Sequence, residues 1–336
     1  MSQTFQRIVL ASRPAGAVTP DNFRLETQSV PEVGEGQVLV RNHFLSLDPY
    51  MRGRMNDSRS YAQPQPLNEV MIGGTVGEVV ASKNSKYQPG DKVVAMFGWQ
   101  EYGLSDDSGM QKVDTTHLPL SAYLGSVGMP GVTAWYGLNK ICAPKAGETV
   151  AVSAASGAVG SVVGQLAKLK GCRVVGFAGG KDKCDYVVKE LGFDACIDYK
   201  AAKDPKELYM MLKDATPDGI DGYFENVGGQ ILDAVMLRMN SFGRIALCGF
   251  IAGYDGQPMP MANPARMLVS RMKVEGFIVS EHMEVWPEAL KELGMAVAMG
   301  KIKFRESVAE GLASAPEAFM GLLKGKNFGK QLVKLI

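Results

Sequence analysis

The chain has 336 residues, a length that corresponds to about two domains, and its 46% hydrophobic content is enough to form their cores. Lys and Arg number 36 against 35 Asp and Glu, and a net charge of +1 gives no basic face for nucleic acid or a membrane surface. The N-terminal apolar run is too short for a signal peptide, and no stretch approaches the ~18 apolar residues of a membrane span. Five cysteines without a C-x-x-C pair indicate free thiols, so we expect a soluble, cytoplasmic protein.

Residues 1 to about 124 have the pattern of an all-β domain. Short alternating runs such as QVLVRNHFLSL and TVGEVVAS lie between turn sequences such as NSKYQPGD and SDDSG. The segment KYQPGDKVVAMFGWQEY runs from a turn directly into a strand, as at the corner of a small barrel. The final segment, 301–336, is predicted to form a strand, a helix and a last strand, and to complete this first domain.

Residues 125–300 have a different rhythm, in which strands and helices alternate. Such alternation is typical of βαβ units around a parallel sheet, so the fold class is α/β. The predicted strands cover 149–153, 173–178, 195–198, 222–227, 244–248 and 274–279. The predicted helices cover 159–171, 183–191 and 205–215.

A glycine-containing turn joins the first predicted strand of this region to its first helix. Its residues are Ala155, Ser156, Gly157, Ala158, Val159 and Gly160. The turn resembles the dinucleotide fingerprint G-x-G-x-x-G, with Ala155 in place of the first glycine. Gly157 would let the backbone approach a pyrophosphate, and Gly160 would let the helix pack on the strand. Small residues at a plain strand–helix junction are the alternative, but the βαβ context favours a dinucleotide site.

The end of the second predicted strand favours NADP(H) over NAD. An NAD site has an Asp or Glu about 20 residues after the glycines. Here the strand ends at Ala178, two glycines beginning with Gly179 leave space, and two lysines, including Lys183, supply positive charge. Asp182 is the alternative NAD-type acid, but its position before a predicted helix is better suited to an N-cap.

A barrel followed by such a sheet resembles the medium-chain dehydrogenase/reductase superfamily. The resemblance implies a GroES-like substrate and catalytic domain (1–124, completed by 301–336) and a Rossmann NADPH-binding domain (125–300). Zinc members carry a G-H-E motif, and Gly74 and Thr75 stand here in place of the ligand and its neighbour. No cysteine precedes Cys142, so the structural-zinc lobe is absent, and His43 and His117 lack a Cys partner. We therefore predict no metal.

The missing zinc ligands favour one class of reaction. Oxidation of an alcohol needs stabilisation of an alkoxide-like oxygen, which a Lewis-acid metal provides. Hydride addition to the β-carbon of an α,β-unsaturated ketone or aldehyde instead forms an enolate, whose less basic oxygen can be held by hydrogen bonds. The sequence thus favours NADPH-dependent reduction of the C=C bond. A quinone oxidoreductase on the same scaffold remains an alternative, as does a non-catalytic NADPH-binding or RNA-binding protein, although the balanced charge disfavours RNA.

Six segments resemble the leukotriene/prostaglandin reductase branch of this superfamily, which includes bacterial NADPH-dependent curcumin reductases and plant 2-alkenal reductases. They are LSLDPYMRGRM, GMPGVTAWYGL, FENVGG, CGFIAGY, EGFIV and LLKGKNFGK. The resemblance covers essentially the whole chain and is strongest to the bacterial curcumin-reductase type. It implies a small-molecule enone substrate and a homodimer. Ser156 is a departure from the alanine common in related members, and it should not disturb the turn.

The resemblance also implies a set of cofactor-binding residues. Lys183 and Tyr199 would hold the 2′-phosphate, although a solvated lysine and a packing tyrosine are the simpler readings. Besides these two, Gly179 and the glycine turn, the set comprises Asn226, Cys248, Gly249, Phe250, Tyr254, Phe277, Ile278, Val279 and Asn327. Tyr254 is also the first catalytic candidate, because its phenol could donate to the enolate oxygen or deliver the α-proton. Tyr50 and Tyr61 are catalytic-site candidates from the first domain.

Overall fold

The computed structural model describes residues 3–336, which form two compact units. The first unit contains the chain up to Leu124, together with Glu306–Asn327 and Gln331–Ile336. The second contains Gly125–Arg305 and Phe328–Lys330. Within residues 3–336, no helix has both the length and the apolar character needed to cross a membrane.

The strands and helices are numbered in chain order. The strands are β1 Thr4–Leu10, β2 Phe23–Ser29, β3 Val38–Ser46, β4 Thr75–Ser82, β5 Lys92–Ala95, β6 Tyr102–Ser105, β7 Gln111–Lys112, β8 Thr149–Val152, β9 Arg173–Ala178, β10 Ala195–Asp198, β11 Ile220–Glu225, β12 Met239–Leu247, β13 Lys273–Gly276, β14 Glu306–Glu310 and β15 Lys330–Lys334. The helices are α1 Tyr50–Arg54, α2 Met129–Tyr136, α3 Gly160–Leu169, α4 Lys181–Lys189, α5 Pro205–Ala215, α6 Gly229–Arg238, α7 Ala265–Val269, α8 Trp286–Ala298 and α9 Ala315–Leu323. A π-helical segment, Gly137–Cys142, continues α2.

The first unit is built on a β-sheet whose central strand is β3. This strand pairs antiparallel with β4, β6 and β15, so the end of the chain returns to the middle of the N-terminal sheet. Most of β3 is buried, including Val38, Leu39, Val40 and Leu45, as expected for a central strand. The core includes Trp99, whose ring stacks on Phe23 at 5.1 Å and meets Phe319 of α9 edge-on at 5.7 Å.

The second unit is a doubly wound α/β fold. Its parallel sheet has the strand order β10-β9-β8-β11-β12-β13. Helix α3 buries Val163 and Leu166 against one face, and α5 and α6 bury residues such as Leu212 and Val235 against the other. Chain order reverses between β8 and β11, and folds of this type bind ligands at the carboxyl ends of the strands beside such a reversal.

Most predicted elements of the second unit are present, with shifted ends. Strands 173–178 and 195–198 and helix 205–215 match β9, β10 and α5 residue for residue. The N-cap prediction for Asp182 was wrong, because α4 already begins at Lys181 and Gly180, with φ +104°, is its cap residue. Asp182 lies instead in the first helical turn, where the positive end of the helix dipole stabilises its negative charge.

The chain leaves the second unit at Arg305 and not at residue 300. Ile302 is buried in the core around α8, so this residue remains with the second unit. Gln165 of α3 holds Lys303 through both main-chain groups: its Nε2 donates to the carbonyl oxygen at 2.8 Å, and its Oε1 accepts from the amide at 2.8 Å. These contacts explain the displaced boundary.

Candidate cofactor-binding site

The glycine turn lies between β8 and α3, at the carboxyl edge of the sheet. A Cβ at Gly160 would overlap the carbonyl oxygen of Ala154, so this position tolerates only glycine without rearrangement. A Cβ at Gly157 would stand 3.1 Å from the same oxygen, a tight but smaller conflict. The turn is thus shaped for the close approach of another group to its backbone, as the fingerprint predicts.

Ala155 can replace the first glycine because the neighbouring strand makes room for it. Its side chain is buried, and its amide donates to the carbonyl oxygen of Phe177 at 2.9 Å. Opposite it on β9 stands Gly176, where a Cβ would come within 2.7 Å of the Ala155 Cβ. Gly176 on the adjacent strand therefore leaves the space that the Ala155 side chain occupies.

A short C-terminal segment, Phe328–Lys330, lies against the glycine turn within the second unit. The Gly329 amide donates to the carbonyl oxygen of Ser156 at 3.1 Å, and Gly329 forms a parallel bridge with Gly157. Gly329 has φ +78°, and a side chain there would collide with the Arg305 carbonyl. The Arg305 guanidinium lies 3.8 Å from the centroid of the Phe328 ring, which fixes the segment further. Sequence reasoning missed Phe328 and Gly329, although both belong to the GKNFGK motif that it singled out.

The end of β9 forms a positively charged recess above Gly179. A Cβ placed on Gly179 would lie 2.8 Å from Cε of Lys200 and 3.0 Å from the hydroxyl of Tyr199, so both side chains converge over this glycine. Burial lowers the pKa of Lys183, and the nearby ammonium of Lys200 lowers it further. Two cations that repel each other in a partly buried recess would be stabilised by a dianion such as a phosphate. Lys200 was not predicted, although it follows Tyr199 directly in the sequence.

The carboxylate of Asp198 fixes the main chain around this recess. Its Oδ1 accepts from the Gly180 amide at 2.8 Å and from the Lys200 amide at 3.1 Å. The first hydrogen bond joins the end of β9 to the end of β10, and the second fixes the turn that follows β10. The recess therefore has a main-chain framework that holds its cationic side chains.

Asn226 follows β11, on the other side of the chain reversal. Its amide nitrogen donates to Ser153 Oγ at 2.7 Å, and its side-chain Nδ2 donates to the Ser153 carbonyl oxygen at 2.8 Å. Ser153 follows β8 directly, so the two hydrogen bonds close the gap between the two central strands. The side chain of Asn226 is half-buried at this edge.

The Cys248–Tyr254 loop follows β12. The amides of Cys248 and Gly249 both donate to the Glu225 carbonyl oxygen, at 2.9 and 3.2 Å. Burial raises the pKa of the Cys248 thiol to about 12, so this cysteine is a neutral packing residue and not a thiolate nucleophile. A short 3-10 turn, Ile251–Gly253, precedes Tyr254, whose hydroxyl lies over Gly249. The Phe250 ring packs over Gly228 at the start of α6.

The segment Phe277–Val279 follows β13. Phe277 and Val279 are buried in the core, and Ile278 between them is half-exposed. Phe277 packs edge-on against Phe224 at 6.1 Å, and a side chain at Gly137 would collide with these rings. The side chain of Phe277 therefore faces the core, and what this segment can offer a ligand is its backbone and Ile278.

The remaining candidates belong to the first unit. Tyr50 begins α1 and Tyr61 follows it, and the Arg54 guanidinium lies 6.0 and 5.0 Å from their ring centroids. Burial raises the pKa of Tyr50, and Asp48 raises it further, so this phenol stays protonated. Asn327 also belongs to the first unit and directly precedes Phe328.

The positions of the zinc motif are apolar in character. Gly74 lies against Leu124 and Met96, and the Thr75 side chain is buried at the start of β4. Between Gln3 and Ile336, no group of three or more His, Cys, Asp and Glu side chains is arranged to hold a metal ion.

Comparison with known proteins gives matches along the whole chain. Residues 6–113 match a family model described as the N-terminal domain of oxidoreductase, and residues 158–294 match one described as zinc-binding dehydrogenase. The chain is 46% identical to the NADPH-dependent curcumin reductase of Escherichia coli over 340 residues, covering 99% of this chain and 97% of that protein. It is 46% identical to prostaglandin reductase 1 of Rattus norvegicus over 325 residues, covering 95% of both. The crystal structure of CurA from Vibrio vulnificus in complex with NADPH superimposes with a TM-score of 0.93 at 46% identity, covering 98% of this chain and 99% of that one.

Proposed function

The chain belongs to the medium-chain dehydrogenase/reductase superfamily, in the branch of the curcumin and prostaglandin reductases, and on that premise we propose that it is an NADPH-dependent enone reductase. It would reduce the C=C bond of α,β-unsaturated ketones and aldehydes, including curcumin- and dihydrocurcumin-type enones. The observation that carries the proposal is full-length identity of 46% to a curcumin reductase, joined to the cationic recess over Gly179.

The chain's own residues would bind and orient the cofactor. Lys183, Lys200 and Tyr199 suit a 2′-phosphate, because two ammonium groups and a phenol converge where an NAD site has a carboxylate. The glycine turn and the N-terminus of α3 suit the pyrophosphate. Asn226, the Cys248–Tyr254 loop, Phe277–Val279 and Asn327 would contact the rest. When bound, NADPH supplies the hydride, which would pass to the β-carbon of the enone.

Tyr254 is the proposed hydrogen-bond donor to the enone oxygen. Negative charge develops on this oxygen as the β-carbon is reduced, and a fixed donor stabilises it. The same phenol could deliver the α-proton. Its position after β12 supports the assignment, because ligands bind at the carboxyl edge of such sheets.

The two units would bind different partners of the reaction, one the cofactor and the other the substrate. We assign NADPH binding to the Rossmann domain around 125–300. The GroES-like domain, 1–124 completed by the C-terminal segment, would be the substrate and catalytic domain, with Tyr50 and Tyr61 as its candidate substrate contacts. Gly74 and Thr75 stand where zinc members have the metal ligand and its neighbour, and this supports a reaction without zinc. The matched family model is described as zinc-binding, but these two positions are the basis of the proposal.

We also propose that the protein is a homodimer located in the cytoplasm. Strand β13 is at the edge of the six-stranded sheet, and large apolar side chains stand exposed beside it. Phe242 is 65% exposed, Leu268 81% and Val269 56%. An unpaired edge with apolar neighbours supports pairing of two such sheets edge to edge. Light scattering should give twice the 36.1 kDa chain mass, and a single-chain mass would contradict the dimer.

The decisive experiment is NADPH consumption with a substrate panel. Curcumin, alkenals, prostanoid-type enones and quinones would be compared, with mass spectrometry of the products. Enone reduction should add two hydrogens across the C=C bond and leave the carbonyl unchanged. Preference for quinones with a trapped semiquinone radical would favour the quinone oxidoreductase. Absence of turnover with every compound would favour a non-catalytic NADPH-binding protein.

A further inference from the structure

Glu225 is a fully buried carboxyl group to which the proposed reaction gives no role. It is the last residue of β11, beside the reversal of chain order between β8 and β11. A buried ionisable group is costly unless hydrogen bonds satisfy it. The presence of this carboxyl group at the edge of the sheet therefore indicates a local function.

Donors from three segments converge on this carboxyl group. Ser153 Oγ, just after β8, donates to Oε1 at 2.7 Å, and the Tyr223 hydroxyl donates to Oε2 at 2.9 Å. The Val227 amide, in the turn before α6, donates to Oε1 at 2.6 Å. Burial raises the pKa of Glu225, and these hydrogen bonds oppose that rise. The ionised carboxylate only accepts, so it can satisfy all three donors at once.

The carboxylate determines the direction of the Ser153 hydroxyl. Because Oγ donates its one proton to Glu225, its lone pairs face the Asn226 amide, which donates to it at 2.7 Å. The Ser153 carbonyl accepts from Asn226 Nδ2 at 2.8 Å. A flipped Asn226 amide would bring Oδ1 against this carbonyl, so only one orientation is compatible with the site.

We propose that Ser153 and Glu225 are positioning residues that lock the Asn226 side-chain amide in the orientation that presents Oδ1 as an acceptor to a donor of the cofactor. A sugar hydroxyl and a carboxamide N–H are the donors of this kind that NADPH carries. The inference rests on the proposed function in one respect, the binding of NADPH at the carboxyl edge of the sheet. It adds two residues that never touch the cofactor.

A double-mutant cycle on NADPH affinity tests this coupling. Ser153→Ala and Asn226→Ala should each weaken NADPH binding about tenfold, measured by fluorescence titration, because Asn226→Ala removes the oriented amide and Ser153→Ala removes the Oγ that holds the Asn226 main chain. Ser153→Ala in the Asn226→Ala background should cause no further loss, because Ser153 acts through Asn226. A further tenfold loss in that background would overturn the proposal, as would wild-type affinity in Asn226→Ala.

Thr216→Val is the matched control for loss of a buried hydroxyl. Thr216 is fully buried, donates to the Leu212 carbonyl oxygen at 2.7 Å and lies near the amino end of β11. Thr216→Val and Ser153→Ala should both lower the melting temperature, but only Ser153→Ala should change the NADPH affinity. Equal loss of affinity in both variants would reduce Ser153 to a stability role and overturn the proposal.

Glu225→Gln extends the test to the carboxylate. Glutamine keeps the shape but carries an N–H group where the carboxylate accepts, so one donor of the network faces another donor. The variant should weaken NADPH binding in the wild-type background and not in the Asn226→Ala background. Wild-type protein that binds NADPH but reduces none of the enones would refute the proposed function and leave this inference standing.

Discussion

The carboxyl ends of β9 and β12 are held in different ways. At the end of β9, Asp198 ties down the main chain on both sides of the recess, and side chains converge over a glycine. At the end of β12, the loop is attached through two amides to one carbonyl oxygen, and its Phe250 packs on Gly228, which Met259 from the following segment also contacts. A site built by main-chain geometry constrains which residues can occupy it. Where side-chain packing sets the shape, as for Phe250 over Gly228, substitutions have more freedom, although the two amides still fix the main chain of the loop.

The largest effect should come from the main-chain part of the site. Gly160→Val should abolish NADPH binding and destabilise the protein, because its side chain would overlap the Ala154 carbonyl. Overpacking of this kind costs about 1–3 kcal/mol or more. Gly157→Ala, with a 3.1 Å contact, should retain the fold and weaken binding less. Thermal melts and NADPH titrations measure both, and equal behaviour of the two variants would contradict this difference.

The next largest effect should distinguish the two cofactors. Lys183→Ala and Lys200→Ala should each raise the KM for NADPH roughly 5- to 150-fold, because each removes a charged hydrogen bond worth ~1–3 kcal/mol. The KM for NADH should change little. Lys189→Ala is the control, because Lys189 lies on α4 with Lys183 but is exposed and paired with Asp185. It should leave the KM for NADPH and the KM for NADH unchanged. Equal losses with NADPH and NADH would remove the 2′-phosphate assignment.

A smaller effect is expected at the end of β12. Tyr254→Phe keeps the ring and removes one donor, so kcat should fall about tenfold, less than the ~10²–10³ for a sole oxyanion donor. NADPH affinity should change less than kcat. Tyr209→Phe on α5 serves as the control for loss of a half-buried phenol. A higher KM for the enone with unchanged kcat would instead make Tyr254 part of the pocket wall.

The pH dependence of NADPH affinity should show a still smaller effect. Burial and Lys200 lower the pKa of Lys183, so this group loses its proton at lower pH than an ordinary lysine. Charge on Lys183 favours the 2′-phosphate, and affinity for NADPH should therefore decline severalfold as the pH rises through that lowered pKa. NADH affinity should stay flat over the same range. Parallel titrations at increasing pH test this, and parallel curves for the two cofactors would contradict it.

Sequence reasoning was most successful where the pattern depends on the backbone. The boundaries of β9, β10 and α5 follow from apolar runs with clear Gly and Pro limits, and the glycine turn was expected between a strand and a helix, where β8 and α3 lie. The start of α4 was misplaced because Gly180 serves as a cap without a capping side chain. Lys200, Phe328 and Gly329 were missed because their role depends on neighbours distant in sequence. Family membership came from joint motifs, and no single one of them would have been sufficient.

The pairing of Gly329 with Gly157 also bears on the order of folding. The glycine turn lies near the middle of the chain, whereas residues 328–330 follow its last helix, α9. Bringing such distant segments together carries a loop-closure entropy that neighbouring strands do not have. The six-stranded sheet can therefore form before its dinucleotide turn receives its last main-chain hydrogen bond. During refolding, far-UV circular dichroism should recover first and NADPH binding second, so a chain with native secondary structure would pass through a stage that does not yet retain its cofactor.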